Sequence, residues 1–202
     1  MMPWEHAVVG YIGYSVFTHV VYRESPTTGE AVVVVFASVL PDLIDKPLAW
    51  EYGIFPSGYA LGHSIFFAVP LTSAVSWYAR RRDRTRVGWA FGIGYLLHLP
   101  ADILPIYIRD GRFPINRVLW PVRPVEGGSG QGFTGGFITA NEEYLQALIE
   151  LDQSLYMQGV VGLFIAGFLL WIYDGMPIGR ELYRGLRQLG SVIEKSIERM
   201  FS

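Results

Sequence analysis

Long apolar stretches with few polar interruptions dominate the chain. Five of them are each about the length needed to cross ~30 Å of hydrocarbon at ~1.5 Å per helical residue. They cover residues 6–22, 31–49, 59–79, 87–108 and 157–173. The core helices of a soluble domain normally carry a polar stripe, and stretches such as AVVVVFASVL and VVGLFIAGFLLWIY do not. The pattern therefore predicts an all-α integral membrane protein with about five transmembrane helices.

The distribution of Lys and Arg predicts how these helices are oriented. The connection after the third stretch reads RRRDRTR, and five arginines there are typical of a cytoplasmic loop. With an odd number of crossings, the N-terminus lies outside, the C-terminus is cytoplasmic, and the connection at about 109–156 is an outer loop. No Lys or Arg precedes the first stretch, so we expect it to be a retained helix rather than a signal peptide. The prediction is a multi-pass protein of the cell membrane.

Two further segments are expected outside the bilayer. The outer loop contains EGGSGQGFTGGF, which lacks the flanking strand and helix of a nucleotide-binding loop and is interpreted as a flexible connector. After it, Asn141 is predicted to cap a helix through ANEEYLQALIELDQSLY. Beyond a single membrane domain at 1–175, residues 176–202 are predicted to form an amphipathic cytoplasmic tail helix on the membrane surface or against a partner. Its apolar stripe consists of Leu182, Leu186, Leu189, Ile193, Ile197 and Met200.

Composition narrows the chemistry that the chain can perform. Hydrophobic residues make up 51% of it and charged residues 17%, and it contains no cysteine. The absence of Cys excludes disulfides, thiolate metal sites and cysteine nucleophiles, so a metal ion would have to be held by His and carboxylate side chains. A net charge of -2 provides no basic field, and no nucleic acid is expected as a partner. Membrane lipids are the expected surroundings.

Ionisable residues recur where the predicted helices reach the outer face. Such groups are costly in or near a bilayer unless they are paired, hydrated or bound to metal. The pair His98 and Asp102 is spaced four residues apart, and Asp42 and Asp45 are three apart, so each pair shares a helix face. Six residues are predicted to meet at one membrane level: His6, Asp42, Asp45, His63, His98 and Asp102. Among metals, these ligands favour zinc, with manganese or iron(II) as alternatives.

Each of these residues also has a structural interpretation when it is taken alone. A single His or Asp in a membrane helix is often hydrogen-bonded for packing, or reaches interfacial water at the helix end. Their convergence is what indicates a metal site or a proton-handling site. Glu5 is a weaker candidate, and Ser64 is interpreted as a hydrogen-bond donor near the site. His19 is expected to lie ~20 Å from His6, toward the inner face, without a role in the site.

The order of several short motifs resembles a known family. His6 is followed by PDLID, by GHS with His63 and Ser64, by HLPAD and by LWP, and over about residues 5–122 this order resembles small membrane-bound metal-dependent hydrolases. That family is regarded as distantly similar to zinc-dependent phospholipase C and single-strand-specific nucleases, helical enzymes that cleave phosphate esters. The resemblance implies a metal-dependent hydrolase with the same six site residues. Members commonly carry His-Arg-Gly shortly before His-Ser, whereas this chain has Gly58, Tyr59 and Ala60 there.

Hypotheses from different functional classes follow. In the first, a divalent metal activates water for attack on an ester or phosphoester, with Asp42 or Asp45 as ligand or general base. Because the ligands lie at headgroup level, a lipid or lipid-linked phosphoester is the expected substrate class. In the second, a non-catalytic membrane protein binds or carries a metal ion or a proton, although carriers usually place ligands near the bilayer midplane. A third hypothesis, an interaction module acting through the tail helix, gives His98 no role.

Overall fold

Seven α-helices and one short 3₁₀ helix make up the regular structure of the described residues. The computed structural model describes residues 1–125, 127, 132–149 and 154–200, with the backbone alone at 143, 147, 148 and 190–200. The helices are α1 (Pro3–Val21), α2 (Thr28–Trp50), α3 (Ile65–Arg81), α4 (Thr85–Asp110), α5 (Gly132–Ile149), α6 (Leu155–Tyr173) and α7 (Gly179–Met200), with the 3₁₀ helix at Ile115–Val118. No β-strand occurs among these residues, which confirms the predicted all-α class.

Local sequence signals set several helix boundaries. Before α2, the Thr27 hydroxyl accepts a hydrogen bond from the N–H of Glu30, whose carboxylate accepts one from the N–H of Thr27. After α4, Gly111 has a φ of 66°, a left-handed conformation that glycine adopts readily and that ends a helix. The predicted start of the third crossing at residue 59 is wrong, because α3 begins only at Ile65. Residues 51–64 form a loop, and Ser64 at its end caps α3 by accepting from the N–H of Phe66.

Helix α5 also departs from the prediction for the long connection. It begins at Gly132, inside the stretch that is expected to be a flexible connector. Asn141 therefore lies within the helix rather than at its N-cap, and its side-chain amide donates to the carbonyl oxygen of Phe137, four residues earlier. Residues 126, 128–131 and 150–153 of this connection lie outside the described residues. Helix α6 has its own start, because Ser154 caps it by accepting from the N–H of Met157.

Helix α4 is the centre of the bundle. It packs against α1, α2 and α3, while α6 packs mainly on α1. The approach of α4 to α2 requires a glycine, since a Cβ added at Gly94 would lie 2.5 Å from the carbonyl oxygen of Val34. Tyr14 and Tyr95 are fully buried between the helices. This packing brings together the start of α1, the later halves of α2 and α4, and the 51–64 loop.

Two helices of the described residues are long and apolar enough to cross a bilayer, and they are α4 and α6. On α6, the side chains of Phe168 and Leu169 are 58% and 61% exposed, as expected of a helix that faces lipid. Helix α3 is shorter, with 17 residues, and α2 carries several charged residues in its second half. The five crossings and their orientation therefore remain predictions.

The tail contains the predicted helix. Helix α7 extends to Met200, and Leu182, Leu186 and Leu189 on it are exposed. The remaining members of the predicted stripe, Ile193, Ile197 and Met200, fall outside the described side chains. The position of α7 on the cytoplasmic surface remains a prediction.

Candidate metal centre

Four buried side chains bring one ligand atom each to a common point. They are Asp42 of α2, His63 of the 51–64 loop, and His98 and Asp102 of α4, and their ligand atoms all lie within 4.8 Å of one another. The spacing of four residues places His98 and Asp102 on the same buried face of α4. Two imidazoles and two carboxylates form a donor set that could hold a divalent metal ion.

The distances between the ligand atoms resemble the edges of a coordination tetrahedron. Nε2 of His63 lies 3.0 Å from Nε2 of His98 and 3.2 Å from Oδ2 of Asp102. Oδ1 of Asp42 lies 3.5 Å from Nε2 of His63 and 3.8 Å from Nε2 of His98, which is itself 3.5 Å from Oδ2 of Asp102. A tetrahedral zinc site with metal–ligand distances of about 2.0 to 2.1 Å has edges of about 3.3 Å. The space between the four atoms is therefore of the size that one metal ion fills.

Hydrogen bonds on the far side of both imidazoles direct Nε2 toward this space. Nδ1 of His63 donates to Oδ2 of Asp45 at 2.8 Å, and Nδ1 of His98 donates to the backbone carbonyl oxygen of Ser38 at 2.6 Å. With the proton on Nδ1, the lone pair of Nε2 is available to a metal ion. This is the usual arrangement of metal-ligating histidines, whose second nitrogen is held by a carboxylate or a carbonyl group.

Within the described part of the chain, each of the two carboxylates has one oxygen without a hydrogen-bond partner. Oδ1 of Asp42 and Oδ2 of Asp102 are buried and accept no hydrogen bond from the described residues. A buried carboxylate oxygen without a partner is costly, and native proteins rarely contain one without a reason. Because these are the same two oxygens that face the histidines, a bound metal ion would satisfy both of them.

Asp45 lies behind His63 rather than among the four ligand atoms. Its Oδ1 accepts from the N–H of Gly62 at 2.7 Å, and its Oδ2 accepts from the N–H groups of Ala60 and His63 as well as from the His63 ring. The carboxylate thus holds the 51–64 loop in place and fixes the orientation of His63. Gly62 is needed in this turn because an added Cβ would lie 2.8 Å from the carbonyl oxygen of Pro41. The geometry favours an orienting role for Asp45 over that of a ligand or general base.

His6 adjoins the four-residue group without belonging to it. Its ring stacks on that of His98 with centroids 3.7 Å apart, and its Nε2 lies 3.1 Å from Oδ1 of Asp102. The side chain is fully buried, yet neither ring nitrogen has a hydrogen bond of good geometry among the described residues. His6 therefore lies at the edge of the site, in contact with both His98 and Asp102.

Comparison with protein families shows what kind of protein contains this site. A family model described as YdjM inner membrane protein matches residues 1–177, which include α1 to α6 and all six predicted site residues. The chain belongs to the YdjM inner membrane protein family. No curated protein and no solved structure matches it. The protein is thus a membrane protein with a buried Asp/His/His/Asp group, and the description of the YdjM family names no catalytic activity.

Nearby cations compensate the carboxylates of the site. Nζ of Lys46 lies 2.6 Å from Oδ2 of Asp42, and the amino group of Met1 lies 3.1 Å from Oδ1 of Asp102. Burial would lower the pKa of His63, but the nearby carboxylates of Asp102, Asp42 and Asp45 raise that pKa to about 10. Without a metal ion, His63 therefore carries a second proton at neutral pH. A metal ion must displace this proton to reach Nε2.

Tyr59 and Arg117 extend the site toward the protein surface. Nη1 of Arg117 donates to the Tyr59 hydroxyl at 2.9 Å, and its guanidinium lies 4.1 Å from the centre of the Tyr59 ring. That ring meets the His63 ring edge to face at 4.9 Å. Burial and the charges of Asp102 and Asp42 raise the pKa of Tyr59, so its hydroxyl keeps its proton. Sequence reasoning identified neither Arg117 nor the Ser38 carbonyl as part of the site, and no local motif marks either one.

A second buried polar cluster lies at the other end of α1. Asp174, just after α6, accepts hydrogen bonds from Tyr11, Ser15 and His19 at 2.6, 2.7 and 2.7 Å. These three α1 residues are spaced four apart, so one face of α1 meets a single carboxylate. The structure thus places His19 outside the four-residue group, where it fastens α6 to α1.

Proposed function

We propose that this membrane protein is a metal-dependent hydrolase that cleaves an ester or phosphoester, with a lipid or lipid-linked phosphoester as the substrate class. The observation that supports it is the set of four converging ligand atoms on Asp42, His63, His98 and Asp102, two of which are buried oxygens without other partners. The donor set favours zinc, with manganese or iron(II) as alternatives. When bound, such an ion lowers the pKa of a coordinated water and polarises the bond to be cleaved.

The surrounding residues have separate tasks in this proposal. Asp45 and the Ser38 carbonyl hold the two histidines with Nε2 facing inward. His6 lies 3.1 Å from Asp102 and stacks on the ring of His98, so it supports these two ligands from the edge of the site. Both oxygens of Asp45 already accept hydrogen bonds, so Asp45 is better suited to orienting His63 than to serving as a general base.

One observation favours a second candidate, a non-catalytic protein that binds an ion for stability or carries it. Four protein ligands at tetrahedral distances complete the shell of a structural zinc site, whereas catalytic zinc usually keeps one position open. Hydrolysis would require a fifth ligand position, or an ion such as manganese that takes more ligands.

Metal reconstitution with a matched pair of histidine variants distinguishes the two candidates. Detergent-purified protein is stripped with a chelator, reloaded with zinc, manganese or iron(II), and assayed on phosphate monoesters, phosphate diesters and phospholipids. We expect metal-dependent hydrolysis that His98→Gln abolishes and that His19→Gln, a change in the buried cluster around Asp174, leaves intact. Bound metal without hydrolysis of any ester would contradict the enzyme and favour the ion-binding protein. Equal hydrolysis by the two variants would remove His98 from the mechanism.

A further inference from the structure

Arg117 is held beside the metal centre without a carboxylate partner among the described residues. It belongs to the 3₁₀ helix and is partly buried, and its one hydrogen bond there goes from Nη1 to the hydroxyl of Tyr59. Other arginines of the same connection behave differently, since Arg109 and Arg112 both pair with Asp110. A guanidinium group has five N–H donors, so most of the donors of Arg117 remain available to a ligand.

The carboxylates of the site do not account for Arg117. Asp42 is paired with Lys46, Asp102 with the amino group of Met1, and Asp45 with the His63 ring and three backbone N–H groups. A divalent ion would add further positive charge between Asp42 and Asp102. Among the described residues, the guanidinium of Arg117 at the edge of the site therefore has no anionic partner, which favours an anionic ligand.

The packing around Arg117 fixes its position relative to the metal ligands. The guanidinium lies over the Tyr59 ring at 4.1 Å, and the same ring makes an edge-to-face contact with the His63 ring at 4.9 Å. The Ser64 hydroxyl donates to the carbonyl oxygen of Trp120, which ties the 51–64 loop to the segment after the 3₁₀ helix. A planar guanidinium that is stacked and oriented in this way is suited to bidentate contacts with phosphate oxygens.

We propose that Arg117 and Tyr59 form an anion-binding subsite of the metal centre, which takes a phosphate group of the ligand. Arg117 donates N–H groups to two phosphate oxygens, and the Tyr59 hydroxyl, which accepts from Arg117, donates its own proton to a phosphate oxygen. This inference rests on the proposed function in one respect, because it identifies the phosphoester rather than the carboxylic ester as the class that the hydrolase accepts.

Equilibrium binding of radiolabelled inorganic phosphate to the detergent-purified full chain tests the subsite. The variants are Arg117→Gln, Arg117→Lys and Tyr59→Phe, and the control is Arg112→Gln in the same connection. Loss of the oriented guanidinium should weaken phosphate binding by about tenfold or more in Arg117→Gln. Arg117→Lys should show a smaller loss because it keeps the charge, and Arg112→Gln should match the wild type. Helix content by circular dichroism and metal content by mass spectrometry should be unchanged in all four variants.

Metal content and phosphate affinity are read separately, so the two proposals fail in different ways. A wild type that takes up no metal contradicts the hydrolase, while the comparison of Arg117→Gln with Arg112→Gln in the metal-free protein still tests the subsite. Equal phosphate affinity of these two variants, or no phosphate binding by the wild type, overturns the subsite. If Arg117→Gln loses helix content, the comparison of Arg117→Lys and Tyr59→Phe with Arg112→Gln decides instead.

A second arm identifies the source of the phosphate group. The protein is placed in phosphatidylcholine bilayers with or without phosphatidic acid, and bound radiolabelled phosphate is measured. Displacement by phosphatidic acid in the wild type, weakened in Arg117→Gln, supports the subsite with a lipid headgroup as its ligand. If soluble glycerol phosphate displaces the bound radiolabelled phosphate and phosphatidic acid does not, the result supports the subsite with a free phosphate compound as its ligand.

Discussion

Replacing Asp45 by Asn tests how the 51–64 loop and His63 are held. The Asp45 carboxylate is completely buried and accepts four hydrogen bonds, three on Oδ2 and one on Oδ1. An amide has one acceptor oxygen. In the better of its two orientations it keeps the three bonds of Oδ2 and turns its NH₂ group toward the N–H of Gly62.

The expected loss of stability follows from these four bonds. The buried N–H of Gly62 left without an acceptor costs about 1 to 3 kcal/mol. The three remaining bonds lose the assistance of the negative charge, about 0.5 to 1 kcal/mol each. Part of this loss is offset because a neutral amide is easier to bury than a carboxylate. The free energy of unfolding should therefore fall by about 3 to 4 kcal/mol, a large share of the ~5 to 15 kcal/mol typical of a domain.

Metal affinity provides an independent readout of the same change. Without the carboxylate, Nδ1 of His63 is held less firmly and the imidazole becomes a poorer ligand, so the affinity should fall by about 10- to 100-fold. Stability is measured by chemical denaturation in detergent micelles, and affinity by competition with a chromophoric chelator. Asp110→Asn is the control, because within the described part of the chain that carboxylate pairs only with the exposed Arg109 and Arg112. If Asp45→Asn behaves like Asp110→Asn in both measurements, the orienting role of Asp45 is refuted.

Three further changes test other parts of the structure. Gly94→Ala should destabilise the protein by about 1 to 3 kcal/mol in a denaturant titration, because the added Cβ would meet the Val34 carbonyl oxygen at 2.5 Å. The control is Gly92→Ala, whose added Cβ has an ordinary contact at 3.8 Å and which should be neutral or stabilising. Asp174→Ala should cost about 3 to 5 kcal/mol in the same titration because it leaves three α1 donors without an acceptor, and a loss below about 1 kcal/mol would contradict this. Because the pKa of His63 is raised to about 10, a proton competes with the metal ion at neutral pH. Metal affinity should therefore rise by about tenfold per pH unit between about pH 6 and 8. A metal affinity that shows no pH dependence in chelator competition would contradict this.

The convergence of Asp42, His63, His98 and Asp102 could be predicted from sequence, because it depends on features that sequence carries. Apolar stretches fix roughly where helices begin and end, and alternating helix directions bring the ends of α2 and α4 to one level. The spacing of four residues then places His98 and Asp102 on one face. The start of α3 could not be predicted, because the loop before it is folded around the Asp45 carboxylate by backbone hydrogen bonds that leave the apolar pattern unbroken.

The separate positions of Asp42 and Asp45 required the structure. Three residues correspond to about 300° of helical rotation, so the two side chains share a broad face but diverge by about 60°. The sequence does not specify which residues each of these two side chains contacts. Asp42 faces the histidines of the site, whereas Asp45 faces the loop that contains His63.

Side-chain contacts between residues that are far apart in the chain also could not be predicted from the sequence. Arg117 meets Tyr59 across 58 residues, and His19 meets Asp174 across 155 residues. Both contacts depend on how the segments pack in three dimensions, and neither residue pair has a periodic or motif signal. His19 looked like an isolated polar residue of a membrane helix because its carboxylate partner lies beyond the next five α-helices of the chain.

The most direct test of the metal centre is the metal content of the purified protein, measured by inductively coupled plasma mass spectrometry. Wild type, His98→Gln and Asp102→Asn are compared with His19→Gln after loading with zinc and removal of excess metal. The four converging ligand atoms predict about one ion per chain in the wild type and in His19→Gln, and a large loss in the other two variants. Equal metal content in all four proteins, or none in the wild type after loading with zinc, manganese and iron(II), would contradict a metal site at these residues.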